Sequence, residues 1–426
     1  MKFELLDPAD QLVSMMNRIY SAGLTTTSGG NLSILDENGN IWITPSGVDK
    51  GALTREDIMR VSTDGTVSGR HRPSVELPFH AEIYRRRPDI RAVLHAHSPA
   101  LVAFSVVHKL PDVNLVASAR NICGAVAMAA YAVPGSKELG NNIAAEFEKG
   151  ADVVLLENHG LCVGAGNLSI CYERFEALES MAKLEVNARR LGGKIRSLNE
   201  VETDLANAAK NTEMDDFVPS RHTEGEDSAR REMISIIRRA YRQGLFDCTQ
   251  GTFSVRLDNG AFLITPESLD SSSVDESDLV LVRTGMKESG KIPSHSVLLH
   301  AEIFRNHPEI GAIIGANPPH AMAFAVTDAE FDPRTIPESY FVLRDIKKIP
   351  FGATPEDISD TLSTKVPALI CKNDQIIATG ATLLKAFDCL EVADATARSI
   401  LLAREIGSIV RFSGAELRDI DIAFGI

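Results

Sequence analysis

Two segments with helical spacing of apolar residues open the two halves of this chain. They read DQLVSMMNRIYSAGL from Asp10 and REMISIIRRAYRQGL from Arg231. Apolar residues three or four positions apart lie on one face of a helix, so each segment predicts an amphipathic helix. Each is followed by a glycine-containing turn and a short stretch, SGGNLSIL or TQGTFSVR, that predicts a strand.

The later elements recur in the same order in both halves. The segments NGNIWITP and NGAFLITP contain an Asn-Gly pair before an apolar run and predict hairpins. A helix through HAEIY or HAEIF comes next, with Ser74 or Ser294 as the expected helix-opening residue. Apolar strands such as IRAVLHAH and ADVVLLENHG follow, and a long helix closes each half, near 170–192 and 381–405.

The two halves are copies of one sequence frame. PSVELPFHAEIYRRRPDI from Pro73 aligns with PSHSVLLHAEIFRNHPEI from Pro293 without a gap. The polar stretch from Ser197 to Asp227 lies between the copies and is typical of a domain tail plus a linker, with a helix expected early, in VETDLANAAK. We therefore predict two domains, 1–215 and 227–426, with a boundary near 215–226.

The order of the elements predicts the fold class. Each domain combines helices with a sheet built from hairpins and largely antiparallel strands, which indicates an α/β protein with helices packed on the sheet. The sequence has no sustained strand–helix–strand alternation and no Walker A loop. A nucleotide-binding parallel sheet is therefore not expected.

Composition narrows the classes of partner. The chain has 426 residues, 44% of them hydrophobic and 24% charged, with a formal net charge of −14. This acidity argues against nucleic acid or an anionic membrane as a partner, and an anionic substrate would need positive charge supplied locally. Six scattered cysteines without a CxxC motif, acidic residues near the N-terminus and the lack of a membrane-length apolar run predict a cytoplasmic protein.

Two histidines end one apolar strand of the first half. His95 and His97 lie two positions apart in RAVLHAH, so their side chains project from the same face of a strand. Such a pair can bind one metal ion, and the simpler alternative is two core histidines with hydrogen-bond partners. Glu76 on the preceding helix and His159 after the strand VVLLEN favour a metal. Three histidines and a carboxylate fit a zinc site with one position open for substrate.

The second half lacks this whole set. His95, His97, His159 and Glu76 are matched there by Gly315, Asn317, Asp374 and Ser296. Unrelated core histidines have no reason to disappear together, so the pattern predicts one working site and one inactive copy. His295 and His320 are new in the second half. A new site is one alternative for them, and packing or surface residues in a structural domain are the simpler interpretation.

The first half resembles the class II aldolase/adducin family, also called the fuculose-phosphate aldolase-like family. GGNLS, ITPSG, RPSVE, HAEIY, HAHSP and ENHG occur in the family's order and spacing across residues 10–190. The resemblance implies two three-layer α/β/α domains, each around a mainly antiparallel sheet. It also implies one divalent metal per chain, usually zinc, bound by His95, His97 and His159. Glu76 would be the acid/base, and would also touch the metal when no substrate is bound.

Sugar phosphates are the usual substrates that this resemblance implies. The family's phosphate cradle corresponds here to five small residues: Gly30, Asn31, Ser46, Gly47 and Ser74. Small residues let backbone N–H groups approach phosphate oxygens closely. The chain departs from the family at Val75, where many members have a second hydroxyl residue. No tyrosine precedes AYAVPGS and Tyr131 lies within it, so the proton donor for the leaving aldehyde is not identified.

We therefore predict a zinc-dependent aldolase, a lyase that cleaves a ketose phosphate or a related hydroxy-carbonyl compound through a metal-stabilised enediolate. Sister reactions on the same site remain alternatives, namely decarboxylation, dehydration or 4-epimerisation of a sugar phosphate. A non-catalytic adducin-like scaffold is a further alternative. Because family members are usually ring-shaped tetramers, the resemblance also implies a homo-oligomer, either two tandem chains that form a pseudo-tetramer or a higher assembly.

Overall fold

The protein forms two compact units. The computed structural model describes residues 3–208, 213–219, 222–268 and 270–425. The first unit extends to Val113 and resumes over Ala119–Lys183, and the second comprises Asn114–Ser118 and the chain from Leu184 onward. A five-residue segment from the first half of the sequence thus belongs to the second unit. The domain limits 1–215 and 227–426, which follow the sequence repeat, stay a prediction.

An eight-stranded sheet forms the centre of the first unit. Its strands are β1 (Asn31–Leu35), β2 (Ile41–Ile43), β3 (Met59–Val61), β4 (Val67–Ser68), β5 (Ala92–Ala96), β6 (Val126–Ala129), β7 (Val153–Leu156) and β8 (Gly160–Ala165). The strand order is β4-β3-β2-β1-β5-β8-β7-β6. Within the described residues, every neighbouring pair is antiparallel except β6 and β7. The largely antiparallel sheet expected from the hairpins is therefore confirmed.

The second unit repeats this sheet and adds one strand. Its strands are β9 (Asp216–Phe217), β10 (Thr252–Arg256), β11 (Phe262–Ile264), β12 (Val280–Arg283), β13 (Met286–Glu288), β14 (Ala312–Ala316), β15 (Lys347–Ile349), β16 (Ala368–Cys371) and β17 (Ile376–Gly380). They are ordered β15-β16-β17-β14-β10-β11-β12-β13-β9. The added strand, β9, comes from the polar linker and pairs in parallel with β13. The sequence pattern did not predict it.

Fourteen α-helices are described. They are α1 (Pro8–Ser21), α2 (Leu77–Arg86), α3 (Pro99–Val106), α4 (Ala119–Cys123), α5 (Lys137–Glu148), α6 (Leu168–Leu191), α7 (Glu200–Ala208), α8 (Glu224–Arg242), α9 (Val297–Asn306), α10 (Met322–Ala325), α11 (Pro337–Leu343), α12 (Pro355–Thr361), α13 (Leu383–Ile406) and α14 (Gly414–Phe424). Helix α7 confirms the helix expected early in the linker. Positions 209–212, 220 and 221 of that linker lie outside the described residues.

Helices cover both faces of the first sheet. All five residues of β5 are buried. On one face Val93 packs in a core cluster with Phe79 of α2 and Phe147 of α5. On the other face the Cys171 thiol of α6 donates a hydrogen bond to the Ala92 carbonyl at 3.3 Å. A strand buried on both sides is the centre of a three-layer arrangement, which confirms the predicted α/β class.

Helix α2 begins later than the sequence suggested. Ser74 was the expected opening residue, but the N-cap is Glu76, and the first helical residues are Leu77 and Pro78. The Ser74 hydroxyl instead accepts a hydrogen bond from the Glu76 backbone N–H at 3.3 Å. Proline is favoured in a first helical turn because it lacks the N–H that would have no partner there. This shift places Glu76 at the N-terminus of α2.

The closing helices and the cysteines agree with the sequence. Helices α6 and α13 begin and end within two residues of the predicted limits. All six cysteines are free and buried. None of the helices in the described part of the chain is long and apolar enough to cross a membrane.

A buried asparagine connects three segments of the second unit. Asn373 has a φ of +55° and is fully buried. Its amide Nδ2 donates to the Leu115 carbonyl at 2.9 Å and to the Arg196 carbonyl at 2.8 Å. Its Oδ1 accepts from Arg196 Nη1 at 3.0 Å. This one side chain therefore fastens both Asn114–Ser118 and the chain after α6 to the turn between β16 and β17.

Replacing Asn373 with alanine should destabilise the second unit by about 3 kcal/mol, since it leaves buried carbonyls unpaired and places a Cβ residue other than asparagine at positive φ. Urea denaturation followed by fluorescence and circular dichroism would measure this. Asn158→Ala is the matched control, because Asn158 has the same φ of +55° but is exposed. Equal destabilisation by both variants would contradict the assigned role of the buried amide.

Candidate active site

Three histidines of the first unit converge on one point. His95 and His97 lie at the end of β5 and just beyond it, and His159 lies in the turn between β7 and β8. Their ring nitrogens lie within 4.8 Å of one another, and the Nε2 atoms of His95 and His97 are 3.0 Å apart. His95 Nδ1 donates a hydrogen bond to the Leu161 carbonyl at 2.7 Å. This bond leaves the Nε2 lone pair of His95 directed at the cluster.

Glycines on the neighbouring loops make room for these imidazoles. A Cβ at Gly30, whose φ is +68°, would lie 2.6 Å from the His95 carbonyl oxygen. A Cβ at Gly160 would lie 2.5 Å from the Ala96 carbonyl oxygen and 2.8 Å from Cδ2 of His97. Real Cβ atoms do not approach so closely, so both positions require glycine. Close packing against the end of strand β5 thus explains the glycines of the GGN and NHG motifs.

Glu76 reaches the same cluster from the start of α2. Its carboxylate lies 3.3 Å from His95 Nε2 and 3.6 Å from His159 Nε2, and the residue is only 6% exposed. The Asn31 amide donates to the Glu76 carboxylate at 2.6 Å. Burial opposes ionisation, but the neighbouring His95 and the hydrogen bond from Asn31 outweigh it, and the pKa of Glu76 is lowered. Glu76 is therefore a carboxylate at neutral pH.

The imidazoles of His97 and His159 are kept neutral. Burial, helped by the neighbouring histidines, lowers the pKa of His97 to about 3 and that of His159 to about 4. A neutral imidazole presents the lone pair that a metal ion needs, and protons compete less for a nitrogen of low pKa. Three convergent imidazole nitrogens beside a carboxylate are a donor set that suits zinc and other divalent metals.

Sequence reasoning missed a hydrogen-bonded chain behind Glu76. The Tyr84 hydroxyl lies 2.6 Å from Ser33 Oγ, and Ser33 Oγ lies 2.6 Å from His80 Nδ1. His80 Nε2 in turn lies 2.5 Å from Asn31 Oδ1. With the His80 proton on Nε2, each group in this chain can donate a hydrogen bond to the next one, from the Tyr84 hydroxyl to the Glu76 carboxylate. The bonds fix the Asn31 amide so that its N–H group faces Glu76.

The sequence repeat around HAEIY and HAEIF could have indicated this hydrogen-bonded chain of side chains. The second copy keeps the serine and histidine, and Ser254 Oγ lies 2.6 Å from His300 Nδ1. It has lost the residues matching Asn31 and Glu76. A buried pair retained without the residue matching Glu76 supports the structure of the fold. Burial lowers the pKa of His80 to about 3, so the ring is neutral and suited to that role.

Three of the five predicted phosphate-binding residues lie on two loops that meet, whereas Gly30 and Asn31 lie at the start of β1. An isolated bridge joins Pro45 to Pro73, and Ser74 N–H donates to the Thr44 carbonyl at 3.2 Å. Gly47 has a φ of +70° and open space where a Cβ would stand. Ser46, Gly47 and Ser74 therefore lie close together near Glu76. Asn31 is the exception in this set, since its amide is already bonded to Glu76.

A buried lysine at the base of these loops was not predicted. Lys50 is 3% exposed, and its Nζ donates to the Pro45 carbonyl at 2.5 Å. Burial lowers its pKa to about 8. None of the carboxylates in the described residues forms an ion pair with it. The ammonium group therefore carries an uncompensated charge directly below the loop of Ser46 and Gly47.

The two departures from the family pattern lie at the surface. Val75 is 65% exposed and Tyr131 is 58% exposed. The Tyr131 backbone N–H donates to the Glu157 carboxylate at 3.0 Å. Neither side chain belongs to the histidine cluster, so the proton donor for a leaving aldehyde stays unidentified.

In the second unit a glutamine fills the space of one missing imidazole. Gly315 stands where His95 stands in the first unit, and a Cβ there would lie 2.3 Å from Oε1 of Gln375. Gln375 itself occupies the position of Gly160. The exchange of histidine for glycine and of glycine for glutamine keeps the space filled without a ligand for a metal. Among the described residues, the histidine cluster of the first unit has no counterpart here.

Comparison with known proteins identifies the family. The model of the class II aldolase and adducin N-terminal domain matches residues 10–186 and again 231–401. The chain belongs to the class II aldolase/adducin family. The double match agrees with the tandem repeat in the sequence, and the resemblance noted for the first half extends to the second.

Individual relatives include both aldolases and decarboxylases. A 5-deoxy-D-ribulose 1-phosphate aldolase of Bacillus thuringiensis is 36% identical over 189 residues, covering 43% of this chain and 86% of the relative. A 3-oxo-tetronate 4-phosphate decarboxylase of Pectobacterium atrosepticum is 33% identical over 178 residues, covering 41% and 81%. The solved structure of an L-fuculose 1-phosphate aldolase is 31% identical with a TM-score of 0.43, covering 48% of this chain and 97% of that one.

Substituting Gly160 with alanine should lower the affinity for zinc by about 10–100-fold, because the added methyl group displaces His97 and the end of β5. Metal content after dialysis, measured by mass spectrometry, would report this. Gly166→Ala is the control, since nothing lies within 4 Å of a Cβ at Gly166. Undiminished zinc binding by the Gly160 variant would show that this glycine does not set the histidine geometry.

Proposed function

We propose that the protein is a metal-dependent lyase of the class II aldolase type, acting on a ketose phosphate or a related hydroxy-carbonyl compound. The observation that carries the proposal is the convergence of His95, His97 and His159 on one point beside the carboxylate of Glu76. The three imidazoles would hold one divalent ion, with zinc the best match to the donor set. When bound, such an ion would supply Lewis acidity to the substrate's carbonyl and hydroxyl oxygens.

Glu76 would carry the proton transfers. Breaking the C–C bond of a hydroxy-carbonyl compound leaves an electron pair on the carbon next to the carbonyl. An ionised carboxylate at the edge of the site can move a proton to and from that carbon. The chain from Tyr84 to Asn31 directs an N–H group at Glu76, which orients the carboxylate and favours its charged form. Asn31 would thus position the base rather than react itself.

The phosphate group would bind between the loops of Ser46–Gly47 and Ser74. Small residues there allow close approach of backbone N–H groups. Lys50 supplies positive charge at the base of the cradle in a protein that is acidic overall. An anionic substrate needs local positive charge in a protein of negative net charge, and Lys50 would supply it. The same charge would compensate for the hydroxyl group that is missing at Val75.

A decarboxylase is the second candidate. The 3-oxo-tetronate 4-phosphate decarboxylase relative is nearly as similar to this chain as the aldolase relative. Loss of carbon dioxide from a keto acid also leaves an electron pair beside a carbonyl, so the same residues would serve. A complete histidine set disfavours the adducin-like scaffold for the first copy. Dehydration and 4-epimerisation have no observation in their favour beyond the shared site.

The second copy is proposed to have lost lyase chemistry. Other residues stand where the first copy has its three histidines and Glu76, which agrees with the predicted structural role. The domain limits 1–215 and 227–426, a homo-oligomer with pseudo-tetrameric symmetry and a cytoplasmic location are also parts of this proposal. Light scattering of the purified chain would test the oligomeric part, and a monomer would count against it.

Replacing Glu76 with glutamine should lower kcat by about 100-fold or more while about one zinc per chain is retained, because the base is lost and the imidazoles stay. His97→Ala should lose both zinc and turnover. A coupled assay for dihydroxyacetone phosphate released from ketose 1-phosphates would measure cleavage, and carbon dioxide release from 3-oxo-tetronate 4-phosphate would measure the alternative. Glu82→Gln, on the same helix but in surface ion pairs, is the control. Full activity of the Glu76 variant would exclude this mechanism.

Substitution of Lys50 by methionine should raise KM for a phosphorylated substrate by about tenfold with little change in kcat. The lysine pKa of about 8 adds a pH signature. The ammonium is charged below this pH and neutral above it, so kcat/KM of the unaltered enzyme should fall as the pH rises past about 8. The methionine variant should lack that fall. An unchanged KM and an unchanged pH profile would assign Lys50 to loop stability alone.

A further inference from the structure

The second unit contains a cavity where the first unit has its candidate active site. Its volume is ≈ 610 Å³, which is in the range of small-molecule sites. Ser296, Gly315 and Asn317 line it, and these residues match Glu76, His95 and His97 of the first copy. A space of ligand size therefore lies beside the positions that match the histidines and Glu76 of the first copy. All its lining residues belong to the second unit.

Polar groups without protein partners face this cavity. The side-chain amides of Asn317 and Gln375 and the hydroxyl of Ser296 line the space. Within the described ranges, none of these three groups makes a hydrogen bond to the protein. Polar groups at a partly buried site usually have partners, and a ligand with several hydroxyls would supply them. Two side-chain amides offer both donors and acceptors, which is the pattern that a polyol matches.

The charges around the cavity disfavour a phosphate. None of the lining residues is a lysine or an arginine, whereas Glu202 and Asp374 both contribute carboxylates. Glu202 is paired, since it accepts a hydrogen bond from Arg196 Nη2 at 2.5 Å. The second copy also places Glu267 where the first has Ser46, on a loop whose Ser268 keeps a positive φ of +55°. A neutral ligand avoids repulsion by these carboxylates.

Apolar side chains also line the cavity. They include Leu205, Leu299 and Phe351. A sugar or open-chain polyol has C–H faces that pack on such side chains while its hydroxyls bond to amides. The combination of apolar side chains and unpaired amides separates this class of ligand from a purely apolar molecule or an ion.

We infer that the cavity of the second unit binds a neutral, unphosphorylated sugar or polyol, without a metal and separately from the lyase site. The ligand's hydroxyls bond to the amides of Asn317 and Gln375, and its carbon chain packs on Phe351. Because the site does not depend on zinc or on Glu76, it is distinguishable from the proposed activity of the first unit.

Titration calorimetry of the full chain with D-ribulose, D-xylulose, L-fuculose and D-arabinitol tests this inference. At least one of these probes should bind with about one site per chain, and zinc removal should not change its affinity. Asn317→Leu should weaken that binding by about tenfold or more, since it removes the amide and keeps the size. Gln375→Leu provides a second variant, and thermal denaturation would verify that each variant is folded.

His97→Ala is the matched control in the first unit and should leave sugar binding unchanged. Loss of binding in this control, or full binding in folded Asn317 and Gln375 variants, would place the sugar in the first unit and overturn the inference. Failure of all four probes to bind would also overturn it. Dihydroxyacetone phosphate serves as the anionic probe, and its binding by the His97 variant with sensitivity to Asn317→Leu would contradict the preference for a neutral ligand.

Discussion

The candidate site depends on a carboxylate held nearly out of contact with water. Burying an ionised group is costly unless charges and hydrogen bonds compensate it. Glu76 accepts a hydrogen bond from the amide of Asn31, and its carboxylate lies within 3.6 Å of ring nitrogens of His95 and His159. The same contacts bring the imidazoles to the end of β5, so the carboxylate and the three histidines form one cluster. Each of these groups is placed by the others.

The second copy shows which parts of this arrangement the fold itself needs. The buried Ser254–His300 pair repeats Ser33–His80, although the carboxylate it once supported is replaced by Ser296. The fold therefore keeps the polar contact between helix and sheet when the chemistry is lost. The three histidines are absent from the second copy, where Gln375 fills the space beside Gly315. The two copies thus share the buried pair and differ in the residues of the candidate site.

Replacing the ligands also changed the electrostatics. The first copy pairs its acid with imidazoles and has Lys50 below the phosphate loop. The second copy has a glutamate in that loop and carboxylates around its cavity. We therefore propose an anionic ligand for the pocket of the first copy and a neutral one for the similarly placed pocket of the second. The shared backbone sets the position of each pocket, and a few side chains set its preference.

The sequence by itself determined the order of the elements, the two copies, the α/β class and the long helices, because periodicity and repeats are local properties of a chain. It also singled out His95, His97, His159 and Glu76, since their joint loss is visible in the alignment of the halves. Only the tertiary structure decided what depends on distant contacts. These features are the hydrogen-bonded side chains behind Glu76, the burial of Lys50, the packing of Asn114–Ser118 in the second unit, and the position of the Gln375 side chain beside Gly315. Residues far apart in sequence meet only after folding, so no local pattern could place them.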